Sequence, residues 1–194
     1  MIDELIKEIE ISLDNGCVIS ALTTALILPD LCAKAMYSKL SGRNHTNKER
    51  YVKWYEENIG QYERNLFGDN NNAYLSGELV YSLRCSLLHE GNPNIDNDTY
   101  GIDYFELIYQ KVQDSSMISY FSEARLIKDA DGNNKEVNKK ISVNVRDLCQ
   151  MICLLAKNCY EEDKDQFNFF NYKLVDIDFQ TRKSFGIRKE DIIK

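Results

Sequence analysis

Residues Leu79–Pro93 read LVYSLRCSLLHEGNP, and the fold follows from how that stretch is read. Leucines at 79, 83 and 87 recur at helical spacing, and Gly91 followed by Pro93 is a strong helix stop. The pattern predicts a helix over residues 75–90 with its leucine side turned to a core. At roughly 100° per residue, Glu78, Ser82, Cys85 and His89 share the other face, with Tyr81 at its border. Arg84 falls beside the leucines, about 140° from His89 around an ideal axis, the two Cα atoms roughly 8–9 Å apart.

The chain holds only two histidines, so one in the last turn of a helix next to an arginine calls for an account. The helix dipole favours its protonated form, and a histidine titrating near neutrality is suited to moving protons. An arginine stays charged and can hold a phosphate or offset charge developing at phosphorus. Together they are parts for cutting RNA by attack of the 2′-hydroxyl on its own phosphodiester, a chemistry that requires no metal or cofactor. By spacing alone an accidental match is the commoner explanation. It predicts Arg84 paired with an acid, such as Glu78 or Glu90, and His89 isolated.

Composition narrows the rest. A length of 194 residues supports one domain with a proper core, and 43% hydrophobic residues with two prolines and nine glycines favour ordered, helix-rich structure. Twenty-four basic against 31 acidic side chains leave a net charge of -7, so any nucleic-acid contact must be local and membrane-surface attachment is disfavoured. Six cysteines include no C-x-x-C pair. Cys149 and Cys153 lie one helical turn apart, but nothing stands by to complete a tetrahedral site, so packing as small apolar residues is expected and no metal. The N-terminus lacks a signal-peptide core, and the longest apolar run, CVISALTTALIL (Cys17–Leu28), is too short to span a bilayer; a cytoplasmic location without membrane attachment is expected.

Outward from the motif, residues 2–14 form an amphipathic helix that Asn15-Gly16 ends or kinks, and Cys17 to about Leu40 read as one buried helix kinked at Pro29. Thr46-x-x-Glu49 is a capping box. The aromatic segment after it, with Tyr51, Trp54, Tyr55, Tyr62 and Phe67, reads as a stripe packed on the core; offering stacking surfaces to RNA bases is the less favoured alternative. YFELIYQKV is a helix or a strand. Ile141, Val143 and Val145 alternate with Lys140, Ser142 and Asn144 to suggest a hairpin around the turn DADGNN, and a helix follows from Arg146 to about Glu161. The tail FNFFNYKLVDIDF can add a strand. The whole reads as a single domain, 1–194, mainly α in an α+β arrangement.

LVYSLRCSLLHEGNP, on a helix with a glycine stop inside a mainly helical chain, resembles the HEPN superfamily, whose signature is arginine, four to six residues, then histidine near the end of a bundle helix. ALILPDLCAKAMY, YVKWYEE and YLSGELVYSLRCSLLHEG also look like a group of bacterial and phage proteins of the same layout. The resemblance implies a helical bundle over about 1–115 joined by the helix at about 146–161, with the hairpin, about 118–145, as an insert. It implies a homodimer whose cleft forms between two motif helices, and a metal-independent endoribonuclease of toxin–antitoxin or phage-defence type. Arg84 and His89 would then be catalytic, with Glu78, Tyr81, Ser82 and Cys85 positioning substrate. Active members often carry an asparagine, aspartate or histidine directly after the arginine, where this chain has Cys85, a poor hydrogen-bond donor. The family also holds inactive members, and the competing expectation is a dimeric interaction module that binds a protein partner or a nucleotide.

Overall fold

The computed structural model describes residues 1–38, 46–61, 75–109, 120–128, 134–170 and 177, with the side chains of Asn97, 120–128 and 134–139 excepted. Tyr62, Phe67, the DADGNN turn apart from its last residue, and most of the tail strand lie outside these residues. Helix α1 (Ile2–Asp14) buries Ile2, Ile6, Ile9 and Leu13, spaced to fall on one face. It ends where expected: Asn15 Nδ2 donates to Ile11 O at 2.8 Å, and Gly16 takes φ 75°, which a side chain would resist.

The apolar segment that follows is two helices, not one kinked at Pro29. α2 spans Val18–Ala25 and α3 spans Leu28–Met36, with the break at Leu26–Ile27. Pro29 stands in the first turn of α3, where its missing N–H has no intrahelical partner to lose. Apolar residues beyond it lengthen the run: Val18–Met36 is, among the described residues, one stretch long and apolar enough to cross a membrane, and half of it is buried inside the protein. α4 (Asn47–Tyr55) opens on the expected capping box, Glu49 N–H donating to Thr46 Oγ1 at 3.2 Å and Thr46 N–H to Glu49 Oε2 at 2.9 Å. It runs on through a widened π turn, Glu56–Gly60. Tyr51, Trp54 and Tyr55 are fully buried, so these rings pack the core and offer no face to a base.

The motif helix α5 (Gly77–Cys85) continues as a second π turn, Ser86–Glu90. Ser76 caps its start, accepting from Leu79 N–H at 3.3 Å. Gly77 sits where α5 crosses α4. Its N–H donates to Glu56 Oε1 at 2.7 Å, and a Cβ there would lie 3.0 Å from Val52 O and 3.3 Å from Tyr55 Cβ. Gly77→Ala is therefore expected to cost about 1–3 kcal/mol by overpacking, read as a lower urea midpoint; an unchanged midpoint would mean that α5 can draw back at no cost.

Beyond the short α6 (Asn97–Tyr100) come β1 (Tyr104–Ile108), β2 (Tyr120–Lys128) and β3 (Asn134–Asn144), in the sheet order β1-β3-β2. The hairpin expected around residues 118–145 is present as the antiparallel β2–β3 pair. It is not an isolated insert, because β1, the strand within YFELIYQKV, pairs parallel to β3 from Tyr104↔Lys140 to Ile108↔Asn144. The predicted alternation also breaks down. Ser142 and Asn144 are buried like Ile141, Val143 and Val145: Ser142 Oγ donates to Glu106 Oε1 at 2.5 Å, and Asn144 Oδ1 accepts from Arg146 N–H at 3.1 Å to cap the next helix.

That helix, α7 (Val145–Glu162), buries Leu148, Ile152 and Ala156 as expected, with Leu155 only partly covered. Cys149, Cys153 and Cys159 complete its inner face, and α7 packs against α1, α2 and α3. A single 3-10 turn, Lys164–Phe167, follows. The protein is thus mainly helical with one small mixed sheet.

Candidate functional site

The leucine side of α5 (Leu79, Leu83 and Leu87) is buried, which sets Arg84 at the edge of the core. Its guanidinium crosses to α3, where Nε donates to Asp30 Oδ2 at 3.0 Å and Nη2 lies 2.8 Å from the same oxygen. Each side chain keeps 21% exposure, so the pair is half-sheltered rather than sealed. Burial pushes the Asp30 carboxyl above the usual carboxylate range; the charge and hydrogen bonds of Arg84, with Arg50 further off, pull it back only in part. Burial likewise opposes the Arg84 charge, and Asp30 more than restores it.

Two of the expected positioning residues gather round this pair instead of round His89. Cys85 Sγ lies 3.9 Å from Arg84 Nη1, and Tyr81 stacks beside the guanidinium, 5.8 Å from ring centroid to Cζ. Tyr81 meets Tyr51 edge-on at 5.1 Å, and the buried Tyr51 hydroxyl donates to Leu26 O at 3.2 Å. Burial, with Cys85 alongside, raises the Tyr81 hydroxyl above its ordinary range. The cluster of Asp30, Tyr51, Tyr81, Arg84 and Cys85 therefore joins α3, α4 and α5. Asp30 and Tyr51 are site residues that sequence reasoning missed. An acid just after Pro29 in the first turn of a helix reads as a complement to the dipole, and nothing local points to a partner 54 positions away.

Glu78 stands apart, exposed at the start of α5, paired with Lys48 Nζ at 2.5 Å. Ser82 is half-buried. His89 is exposed and makes no hydrogen bond or ion pair with any described residue. Arg84 held by an acid and His89 without a partner among the described residues are the two features expected of an accidental motif, although the acid is Asp30 rather than Glu78 or Glu90. Among the described residues, no group of three or more His, Cys, Asp or Glu side chains is placed to hold a metal ion.

The backbone beneath the motif departs from the ideal helix on which the angular reading rested. Gly91, at φ 71°, closes the last turn by donating to Ser86 O, five residues back, and Asn92 N–H reaches the same oxygen at 3.4 Å. A turn closed five residues back rotates less per residue than an α-helical turn. His89 therefore falls short of its ideal position, and the shortfall swings it toward the Arg84 side. The motif is thus a helix end at which Arg84 is engaged by Asp30 and His89 is exposed. Compared with protein-family models, with curated proteins and with solved structures, the chain gives no match.

Proposed function

We propose that the chain is an HEPN-like helical bundle that acts, as a homodimer, as a metal-independent endoribonuclease in a toxin–antitoxin or phage-defence setting. Arg84 holds the scissile phosphate and His89 handles the proton of the attacking 2′-hydroxyl or of the leaving group. The observation that carries this reading is the π turn at Ser86–Glu90, between the two motif residues; a turn of that kind rotates less per residue than an α-helical one, so the angle between Arg84 and His89 is smaller than on an ideal helix. Such widened turns are frequent at functional sites. The Asp30 contact supports it as well: it uses Nε and Nη2, fixing the plane of the guanidinium, and leaves Nη1 with the weak thiol acceptor of Cys85 at 3.9 Å.

A second reading has its own observation. With Arg84 engaged by Asp30, and a thiol at position 85, the same surface suits a non-catalytic dimeric module that binds a protein partner or a nucleotide. RNA cleavage by the purified protein in EDTA separates the two. His89→Ala is the clean arm, since truncating an exposed side chain is expected to leave stability within about 0.5 kcal/mol. The nuclease reading expects cleavage by the wild type to survive chelation and to fall by about a hundredfold or more in His89→Ala. Well-folded wild type that cleaves none of a varied set of RNAs would transfer the assignment to the binding module.

A further inference from the structure

Away from the motif, a cavity of about 500 Å³ opens where the end of α3 meets the end of α7, lined among others by Met36, Tyr37, Cys159, Glu162 and Phe167. Cys159 keeps 9% exposure at its wall. Close to it lies Cys32 of α3, fully buried, the two thiols near enough to shift each other's ionisation. The Cys32 sulfur also sits 4.0 Å from the carbonyl of Ala156, one turn before Cys159 on α7. From α4 comes a third group. The Trp54 indole N–H is buried without an ordinary hydrogen-bond partner among the described residues, close enough to Cys159 to favour its thiolate.

The two sulfurs are therefore unlike. The Cys32 thiol and then the Trp54 N–H hold Cys159 below the usual thiol range, against burial and the charge of Glu162. Its hydrogen bond to Cys159, with burial, drives Cys32 up. Cys153 supplies the contrast: it lines a separate cavity between α1 and α7, yet burial and Glu10 push its thiol up to about 12. Only Cys159 joins an opening, two donors and an adjacent second thiol among the described residues.

We propose that this cavity is an oxidation site, in which Cys159 meets hydrogen peroxide and Cys32 resolves the product into a Cys32–Cys159 disulfide between α3 and α7. The Cys159 thiolate attacks one peroxide oxygen; the O–O bond breaks, leaving Cys159 as a sulfenic acid and releasing hydroxide, which takes up the proton Cys159 gave up. The Cys32 sulfur then attacks the sulfenic sulfur, the S–O bond breaks, and the departing hydroxide leaves as water with the Cys32 proton. In sum, two thiols lose two electrons and two protons, and one peroxide becomes two waters. The step is independent of any ribonuclease activity.

The test is peptide mapping without reduction after a small molar excess of hydrogen peroxide. It uses the full chain carrying Cys17→Ser and Cys85→Ser, the two cysteines outside the core, and is repeated on the wild type in case the substitutions disturb folding. The expected result is a pair of peptides joined through Cys32 and Cys159, lighter by two hydrogens and separated by dithiothreitol, with Cys159 consumed about tenfold faster than Cys153. In Cys32→Ser, dimedone is expected to trap a sulfenic acid on Cys159. Equal rates at Cys153 and Cys159, or oxidised Cys159 with Cys32 still free to alkylate, would overturn the proposal.

Discussion

Arg84→Ala is expected to lower stability by about 3 kcal/mol, whereas Asp30→Asn costs less than about 1 kcal/mol and the double variant is more stable than Arg84→Ala alone. The asymmetry follows from the sheltered position of the pair. Removing the arginine leaves a half-buried carboxylate with only the more distant Arg50 to offset it. Asparagine at 30 removes that charge, keeps an acceptor for Arg84 Nε, and leaves a guanidinium that can shift toward water. Because burial already sets the folded pKa of Asp30 above its ordinary value, the acid form favours the fold. That contribution is fully present below the unfolded pKa and is lost as pH rises through the folded one. Removing Arg84 raises the folded pKa further, so the deficit of Arg84→Ala is smallest in acid and grows toward neutral pH. Urea unfolding of the four proteins at two pH values measures this. Equal single costs that simply add would make the pair an ordinary surface bridge. It also follows that lost cleavage in Arg84→Ala is informative only beside the Asp30→Asn background.

Trp54→Ala is expected to be costlier still, about 3–5 kcal/mol, or a fall in thermal midpoint of roughly 6–20 °C. Trp54 is the only tryptophan in the chain and is fully buried on α4, which packs against α3 and α5. Deleting it empties the junction of these helices, and backbones already in contact close over the void only in part. Trp54→Phe keeps most of the ring and loses the N–H, so it is expected to fall well short of the alanine cost. Circular dichroism melting reads both. A shift under about 2 °C in the alanine variant would show that the core refills the space.

What was legible in the sequence was what neighbouring residues settle among themselves. Asn15-Gly16, the Thr46–Glu49 box and the Gly91 stop each make their hydrogen bonds within a few positions, and the spacing of Ile2, Ile6, Ile9 and Leu13 alone identifies a buried face. The cysteines followed their expected role in the core at 32, 149, 153 and 159. What distant partners settle was not legible. YFELI fits a helix or a strand until β3, 36 positions on, pairs with it. Ser142 and Asn144 read as solvent-facing because alternation says nothing of a glutamate on a neighbouring strand or of a helix start waiting for a cap. At the site, Arg84 and His89 were found by pattern, yet their relation was drawn on an ideal helix, and five residues do not announce a widened turn. Asp30 was hidden for the reason that any long-range ion pair is hidden: either half alone is an ordinary surface charge.

The packing of α7 against α1, α2 and α3 also bears on how the chain emerges from the ribosome. The first three helices present Ile2, Ile6, Ile9, Leu22 and Cys32 toward a core whose other wall begins at Val145. At roughly 5–20 residues per second, synthesis leaves that apolar surface without its final cover for about 5–20 s while the intervening chain is made. For that interval the nascent helices have a reason to engage a chaperone that binds apolar surface, and their native packing waits for α7 rather than being completed helix by helix.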